Sequence, residues 1–222
     1  MSHSARESEL HTPLLWLRNW HPEDRAPFAA LNADPAVMEH FPAPLSPPES
    51  DILVDGITAH WEAQGFGLWV VEISVTGEFA GFVGLSQVNF RAHFTPAVEV
   101  GWRLARRFWH QGFATEAAQV ALTRGFHDLE LAEIVSFTTE SNVRSRRVME
   151  RLGMHQNAAD DFRHPNLPAD HPLSPHVLYR LTRSEWSAAG ASDPPSLPAG
   201  SVRTVRPSLS SEPGHVQSLT AG

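Results

Sequence analysis

The chain has 222 residues, 41% of them hydrophobic and 19% charged, ordinary proportions for a globular protein long enough to bury a core. It has no cysteine, which excludes disulfides, thiolate zinc sites and a cysteine-linked acyl-enzyme. A formal net charge of −8 argues against a nucleic-acid partner. No stretch approaches the ~18 apolar residues of a membrane span, and residues 1–9 lack the apolar run of a signal peptide, so a cytoplasmic protein without membrane contact is expected.

Residues 1–12 are polar and aperiodic and read as a flexible N-terminal tail. Residues 14–20 read as a first strand. His21-Pro22-Glu23-Asp24 then starts a helix, with proline in the first turn and carboxylates at the positive end of the dipole. Phe28 and Leu31, then Val37, Met38 and Phe41, supply apolar positions for that helix and a short continuation beyond the break at Asp34-Pro35. Residues 41–49 hold Pro42, Pro44, Pro47 and Pro48 and are expected to be a loop. A second helix is expected over about 50–64, with Ile52, Ile57 and Trp61 among its apolar positions.

Strands follow over 68–73 and 79–85, joined through Thr76-Gly77-Glu78 as a hairpin. A turn over 91–96 leads to a strand over 97–104, which completes an antiparallel meander. A helix over about 115–128 places Ala118, Leu122 and Phe126 on one face. Residues 134–139 are the next strand; coming after a strand and a helix, it is expected to lie parallel to 97–104. The helix after it runs from a Ser141 N-cap to a C-terminal Gly153. Ser145, Val148, Met149 and Leu152 share its inward face; Arg144, Arg147 and Arg151 share another. Residues 155–175 carry His155, His164 and His171, with His176 just beyond, scattered among prolines. They read as a polar surface loop rather than a metal site. Residues 177–181 are a last strand, and 187–222, rich in Ser, Pro, Gly and Ala, read as a disordered C-terminal tail. The folded domain is therefore expected over 13–186.

The stretch 99–116 organises this plan. Its first half has the aromatic and branched residues of a strand. Its middle turns through Gly112, and from Ala114 the residues are good helix formers. A glycine turn into a helix start points unpaired backbone N–H groups, helped by the helix dipole, at an anion such as a phosphate.

The string Trp109-His110-Gln111-Gly112-Phe113-Ala114-Thr115-Glu116-Ala117 resembles the acetyl-CoA pyrophosphate loop of the GNAT acetyltransferases, in the form seen in the RimJ/RimL-like branch. Trp109 stands where the common form has Gln or Arg. The run 139–154, with Asn142-Val143-Arg144-Ser145 and a helix ending in Leu152-Gly153, looks like the second GNAT signature, and 15–18 followed by Pro22-Glu23-Asp24 and 34–38 resembles the RimJ/RimL-like entry. The resemblance covers about 14–186. It implies an α+β GNAT fold: a mixed, mostly antiparallel sheet with helices on both faces.

It also implies an N-acetyltransferase with acetyl-CoA as co-substrate and no metal. The backbone of Trp102, Arg103 and Leu104 would hydrogen-bond the pantetheine arm. Gln111, Gly112, Phe113, Ala114 and Thr115 would bind the pyrophosphate. Asn142 would contact pantetheine. Ser145 would lie near the thioester sulfur, either as the group that protonates the thiolate or as a small packing residue. The arginine stripe is either a solvated surface or attraction for the 3′-phosphate. Glu99 is the candidate base, in the strand that carries the co-substrate; alternatively it binds the acceptor ammonium or pairs with an arginine. Glu140 and Tyr179 are weaker candidates. The acceptor would be a primary amine, on a small molecule or at a protein N-terminus, with residues 41–64 either beside it or a plain connector. Without cysteine, direct transfer is favoured. The resemblance leaves a homodimer open, and a non-catalytic acyl-CoA sensor or partner-binding module is the alternative function.

Overall fold

In the computed structural model the described residues are 9–190; the tail expectations for 1–8 and 191–222 lie outside them. Nine strands form one sheet in the order β1-β2-β3-β4-β5-β6-β9-β7, with β8 beside β9. They are β1 (Leu10–His11), β2 (Leu15–Arg18), β3 (Leu68–Ile73), β4 (Phe79–Gln87), β5 (Val98–Leu104), β6 (Glu133–Thr139), β7 (His155–Gln156), β8 (Phe162–Arg163) and β9 (Pro175–Thr182). Every pairing is antiparallel except β5 with β6. Among the described residues five α-helices complete the fold: α1 (Arg25–Ala33), α2 (Pro47–Gln64), α3 (Phe113–Thr123), α4 (Val143–Arg151) and α5 (Arg183–Ala188). Among the described residues, no helix is long and apolar enough to cross a membrane.

The period-two alternation of the strands sorts their side chains onto two faces. Val100, Trp102 and Leu104 of β5 join Ala117, Ala118, Ala121 and Leu122 of α3 and Met149 of α4 in one core. The alanines let α3 lie close on the sheet. On the other face, Phe28 and Leu31 of α1 and Leu53, Val54 and Ile57 of α2 pack on Leu68, Val70 and Phe82. Burying each such side chain contributes roughly 1.5–3 kcal/mol. Farther along this second face, Phe94, Val135, Phe137 and Leu178 form a smaller cluster.

Several local expectations are corrected. Leu10–His11 pairs with β2 and so is not a loose tail. No helix continues over 34–40. Pro47 and Pro48 open α2 rather than prolonging the loop, because the first helical N–H groups have no intrahelical acceptor to lose. Ser46 caps them, its N–H and hydroxyl donating to Glu49 Oε2 at 2.8 and 2.6 Å. Ile52 of α2 is exposed, and the buried positions are Ser50, Leu53, Val54 and Ile57. Asn142, not Ser141, caps α4: its Oδ1 accepts from Ser145 N at 3.2 Å. The histidine-bearing segment 155–175 is not a surface loop throughout. It contributes β7 and β8 and buries His164. α5 carries the fold past 186 to Ala188.

One buried ionic network fixes α1 to the sheet. Arg18 of β2 donates through both terminal nitrogens to Asp24, at 2.7 and 2.8 Å, and through Nε to Glu72 of β3 at 2.7 Å. The Asp24 hydrogen bond, offset in part by burial, raises the Arg18 guanidinium above its ordinary value. Asp24 Oδ2 also accepts from His21 N, closing the turn that starts α1. Removing the cation would leave a buried carboxylate without its partner. Arg18→Met is therefore expected to destabilise the protein by about 3–5 kcal/mol in urea unfolding, whereas Ile52→Ala on the exposed side of α2 should stay within about 0.5 kcal/mol. Equal effects would contradict this assignment of the network.

Candidate active site

β5 and β6 are registered at one residue pair, Glu99 with Val135, although each strand is seven residues long. Beyond that pair they diverge, β5 toward Leu104 and β6 toward Thr139. Ala105 N donates to Ala80 O and Val88 N donates to Ala97 O, so the odd-numbered residues of β5 turn their backbone groups to β4. Strand alternation then turns those of Val100, Trp102 and Leu104 toward the gap. The backbone of Arg103 faces β4 instead. Leu104 O accepts the Trp109 indole N–H at 2.8 Å.

The loop at the C-terminal end of β5 turns twice through left-handed backbone, at His110 (φ 61°) and Gly112 (φ 85°). A Cβ on Gly112 would meet no protein atom within 4 Å; the glycine answers the positive φ and leaves the space before the helix open. Glu116 N donates to Gly112 O at 3.0 Å as the first bond of α3. The N–H groups of Phe113, Ala114 and Thr115 precede it and point out of the helix start, where an anion is stabilised. Gln111 is exposed, its Nε2 donating to Arg107 O. The loop has the form of a phosphate cradle, and the gap beside it has the form of a groove for an extended chain.

On the α3/α4 face, Asn142 is buried, donating Nδ2 to Thr138 Oγ1 at 2.9 Å while capping α4. Its side chain therefore holds the helix start. Ser145 is buried one turn on. Tyr179 donates to Glu150 Oε1 at 3.2 Å and accepts from Arg146 Nε at 3.3 Å. These residues line the same side of the divergence.

On the opposite face stand Glu99 and Arg103. Glu99 is 3% exposed and is the register partner of Ser86 on the neighbouring strand β4. The Arg103 guanidinium donates to Asn32 Oδ1 at 2.6 Å and lies 4.0 Å from the Phe41 ring centroid. Asn32 Nδ2 in turn donates to Ser50 Oγ at 2.9 Å. Burial pushes Arg103 down to about 9, so it remains a cation at neutral pH. Its side chain ties β5 to α1, α2 and the segment between them, which the sequence reading did not foresee. The available signal was Asn32 itself, a polar residue four positions from Phe28 on an apolar helix face.

Farther along this face the four histidines are not brought together. His164 and His176 meet, with ring centroids 5.0 Å apart, among Phe90, Phe137 and Phe162. His164 Nδ1 accepts from Asn166 N, and His176 Nδ1 bonds Ser174 O. Glu140 is exposed and lines a hollow of about 270 Å³ with Asp161, Arg163 and His176, at the end of β6 away from Glu99.

An antiparallel sheet opened at one parallel junction, with an anion-binding helix start beside the opening, is the architecture of an acyl-coenzyme A transferase. A family model described as "Acetyltransferase (GNAT) domain" matches residues 15–155. The chain belongs to the GNAT acetyltransferase family and is an acyltransferase enzyme; that family uses acetyl-CoA as its co-substrate. It is 32% identical over 184 residues to an Aspergillus fumigatus protein named FsC-acetyl coenzyme A-N(2)-transacetylase, covering 80% of this chain and 77% of that one. It is 31% identical over 150 residues to the Bacillus subtilis uncharacterized protein YkkB, covering 67% and 86%. An acetyltransferase structure from Agrobacterium tumefaciens superposes with a TM-score of 0.63 at 26% identity, over 78% of this chain and 93% of that one. A GNAT-family structure from Bacillus anthracis shares the fold, with a TM-score of 0.64 at 20% identity over 79% and 99%.

The buried histidine pair gives a pH dependence with a definite sign. Burial first, and the charge of His176 second, push His164 from 6.5 down to about 4; burial also lowers His176. Between about 6.5 and 4 the unfolded chain binds a proton that the folded protein refuses, so stability falls as pH drops through that window. Urea unfolding at pH 7 and pH 5 should show the loss, at most about 1.4 kcal/mol per pH unit for one group, and His164→Phe should flatten it. A parallel loss in wild type and variant would contradict the role given to this histidine.

Proposed function

We propose that this enzyme transfers the acetyl group of acetyl-CoA directly to a primary amine. The observation that carries the proposal is Glu99, buried on β5 at the last pair before β5 and β6 part. A pantetheine arm entering from the 111–115 loop and lying along the gap would bring its thioester toward that junction. The sequence holds no cysteine, which favours attack by the amine itself over a thiol-bound acyl-enzyme. The Aspergillus relative, named for transacetylation at an N(2) nitrogen, supports a small-molecule amine; a protein N-terminus is the other acceptor class. The expected location is the cytoplasm.

The chemistry needs a neutral amine. Alkyl amines are mostly protonated at pH 7, so a base must take a proton from the ammonium before the freed nitrogen lone pair attacks the thioester carbonyl. Glu99 takes that role, directly or through one water. Backbone N–H groups of β5 that face the gap stabilise the developing oxyanion. As the C–S bond breaks, the nitrogen of the tetrahedral adduct gives up its second proton, and the Ser145 hydroxyl, at the inward first turn of α4, relays it to the departing thiolate. Phe113, Ala114 and Thr115 hold the pyrophosphate through their N–H groups, with Gly112 setting the turn and Gln111 at its rim. Trp102 holds the arm through its backbone, and Asn142 supports the wall against which it lies.

Free-thiol release from acetyl-CoA, measured with a panel of small amines and peptides, tests the activity. Glu99→Gln should lower kcat by about 10²-fold or more, with the residual rate rising with pH as the free amine fraction grows. Full kcat across pH would remove Glu99 as the base. Acetyl-CoA binding with turnover on no acceptor would favour a sensor.

A further inference from the structure

The phosphate loop has a charge problem. The donors of its helix start are neutral backbone N–H groups, whereas a pyrophosphate is an anion that must also give up hydration. The residue that opens the loop, Trp109, supplies no cation, and its indole N–H is committed to Leu104 O at 2.8 Å. Arg107, two positions earlier, is turned toward Glu78 at 3.6 Å and Phe79 O at 3.4 Å, with its guanidinium over the Phe108 ring.

A cation does reach the loop from another element. The Arg144 guanidinium, on the first turn of α4, lies 4.5 Å from the centroid of the Trp109 ring. The ring holds it flat by cation–π attraction. One terminal nitrogen, Nη2, donates to Glu39 Oε2 at 2.6 Å. Glu39 belongs to the segment between α1 and α2, and its neighbour His40 bonds Thr139 Oγ1 at the end of β6 at 3.2 Å. Both Arg144 and Glu39 are about half exposed, so the guanidinium is accessible from solvent. A guanidinium fork suits a phosphate as well as a carboxylate.

We propose that Arg144 is the cation that binds the pyrophosphate of acetyl-CoA in this enzyme, supplied from α4 in place of a basic residue at the head of the loop. Glu39 occupies it with a carboxylate until the phosphate arrives, and Trp109 is the platform that keeps it aimed. This deepens the acetyl-CoA reading and rests on it. It also gives Arg144 a different role from Arg147 and Arg151, which are exposed on the same helix.

The test is equilibrium binding of three probes to the full chain: acetyl-CoA, 3′-dephospho-acetyl-CoA, and S-acetylpantetheine, which has no phosphate. Arg144→Gln should weaken the first two by about tenfold each and leave the third unchanged, with partial recovery in Arg144→Lys. Glu39→Gln, on an exposed side chain, should tighten acetyl-CoA several-fold by removing the competing carboxylate. A loss confined to acetyl-CoA itself would place Arg144 on the 3′-phosphate and overturn the proposal. So would an equal loss for S-acetylpantetheine, which would mark a merely structural role, or unchanged binding of all three. A wild-type protein that binds none of the probes would instead sink the acetyl-CoA reading, and this inference with it.

Discussion

The parallel junction between β5 and β6 is the constraint on which the rest depends. A sheet that paired fully at this point would have no room for a substrate. Here the two strands meet at Glu99 and Val135 and then part, while α3 and α4 pack on one face. The gap that results turns backbone groups of β5 outward and ends, at its closed corner, beside a buried carboxylate. The crossover from β5 to β6 places the start of α3 at the open end, so one piece of chain supplies both the edge of the gap and the helix start beside it.

Two polar assemblies hold the opposite face against this opening. Arg18, Asp24 and Glu72 anchor the start of α1 to β2 and β3. Arg103, Asn32 and Ser50 tie β5 to α1 and α2. The second links the strand carrying Glu99 to the segment that holds Glu39, His40 and Phe41. That segment reaches over to β6 and α4 through His40 and Glu39. β5, the segment between α1 and α2, β6 and α4 are thus connected through a few side chains.

The sequence reading recovered what depends on local chemistry. Gly112 followed by small helix formers announced the turn into α3, and the parallel strand followed from the order strand, helix, strand. It went astray where tertiary context decides. Prolines 47 and 48 read as loop because their helix-breaking tendency is stronger than their tolerance at a first turn, and only the cap by Ser46 resolves it. Ser141 and Asn142 are both good caps, and the choice between them depends on Thr138, which holds the Asn142 amide from the preceding strand. Residues 155–175 read as surface because their composition is polar. His164 is nevertheless buried, since Phe90 from the β4–β5 connection and Phe137 from β6 join its near neighbour Phe162 in covering it. The direction of the Arg103 backbone follows only from the register with β4, which no single strand reveals.

Amide hydrogen exchange with and without acetyl-CoA measures the central feature directly. Slowed exchange should appear at Trp102 along the gap and at Phe113, Ala114 and Thr115 at the start of α3, with β2 and β3 unchanged. Protection confined instead to the hollow around Asp161, Arg163 and His176, with the β5 edge unaffected, would show that the co-substrate does not use the divergence of β5 and β6.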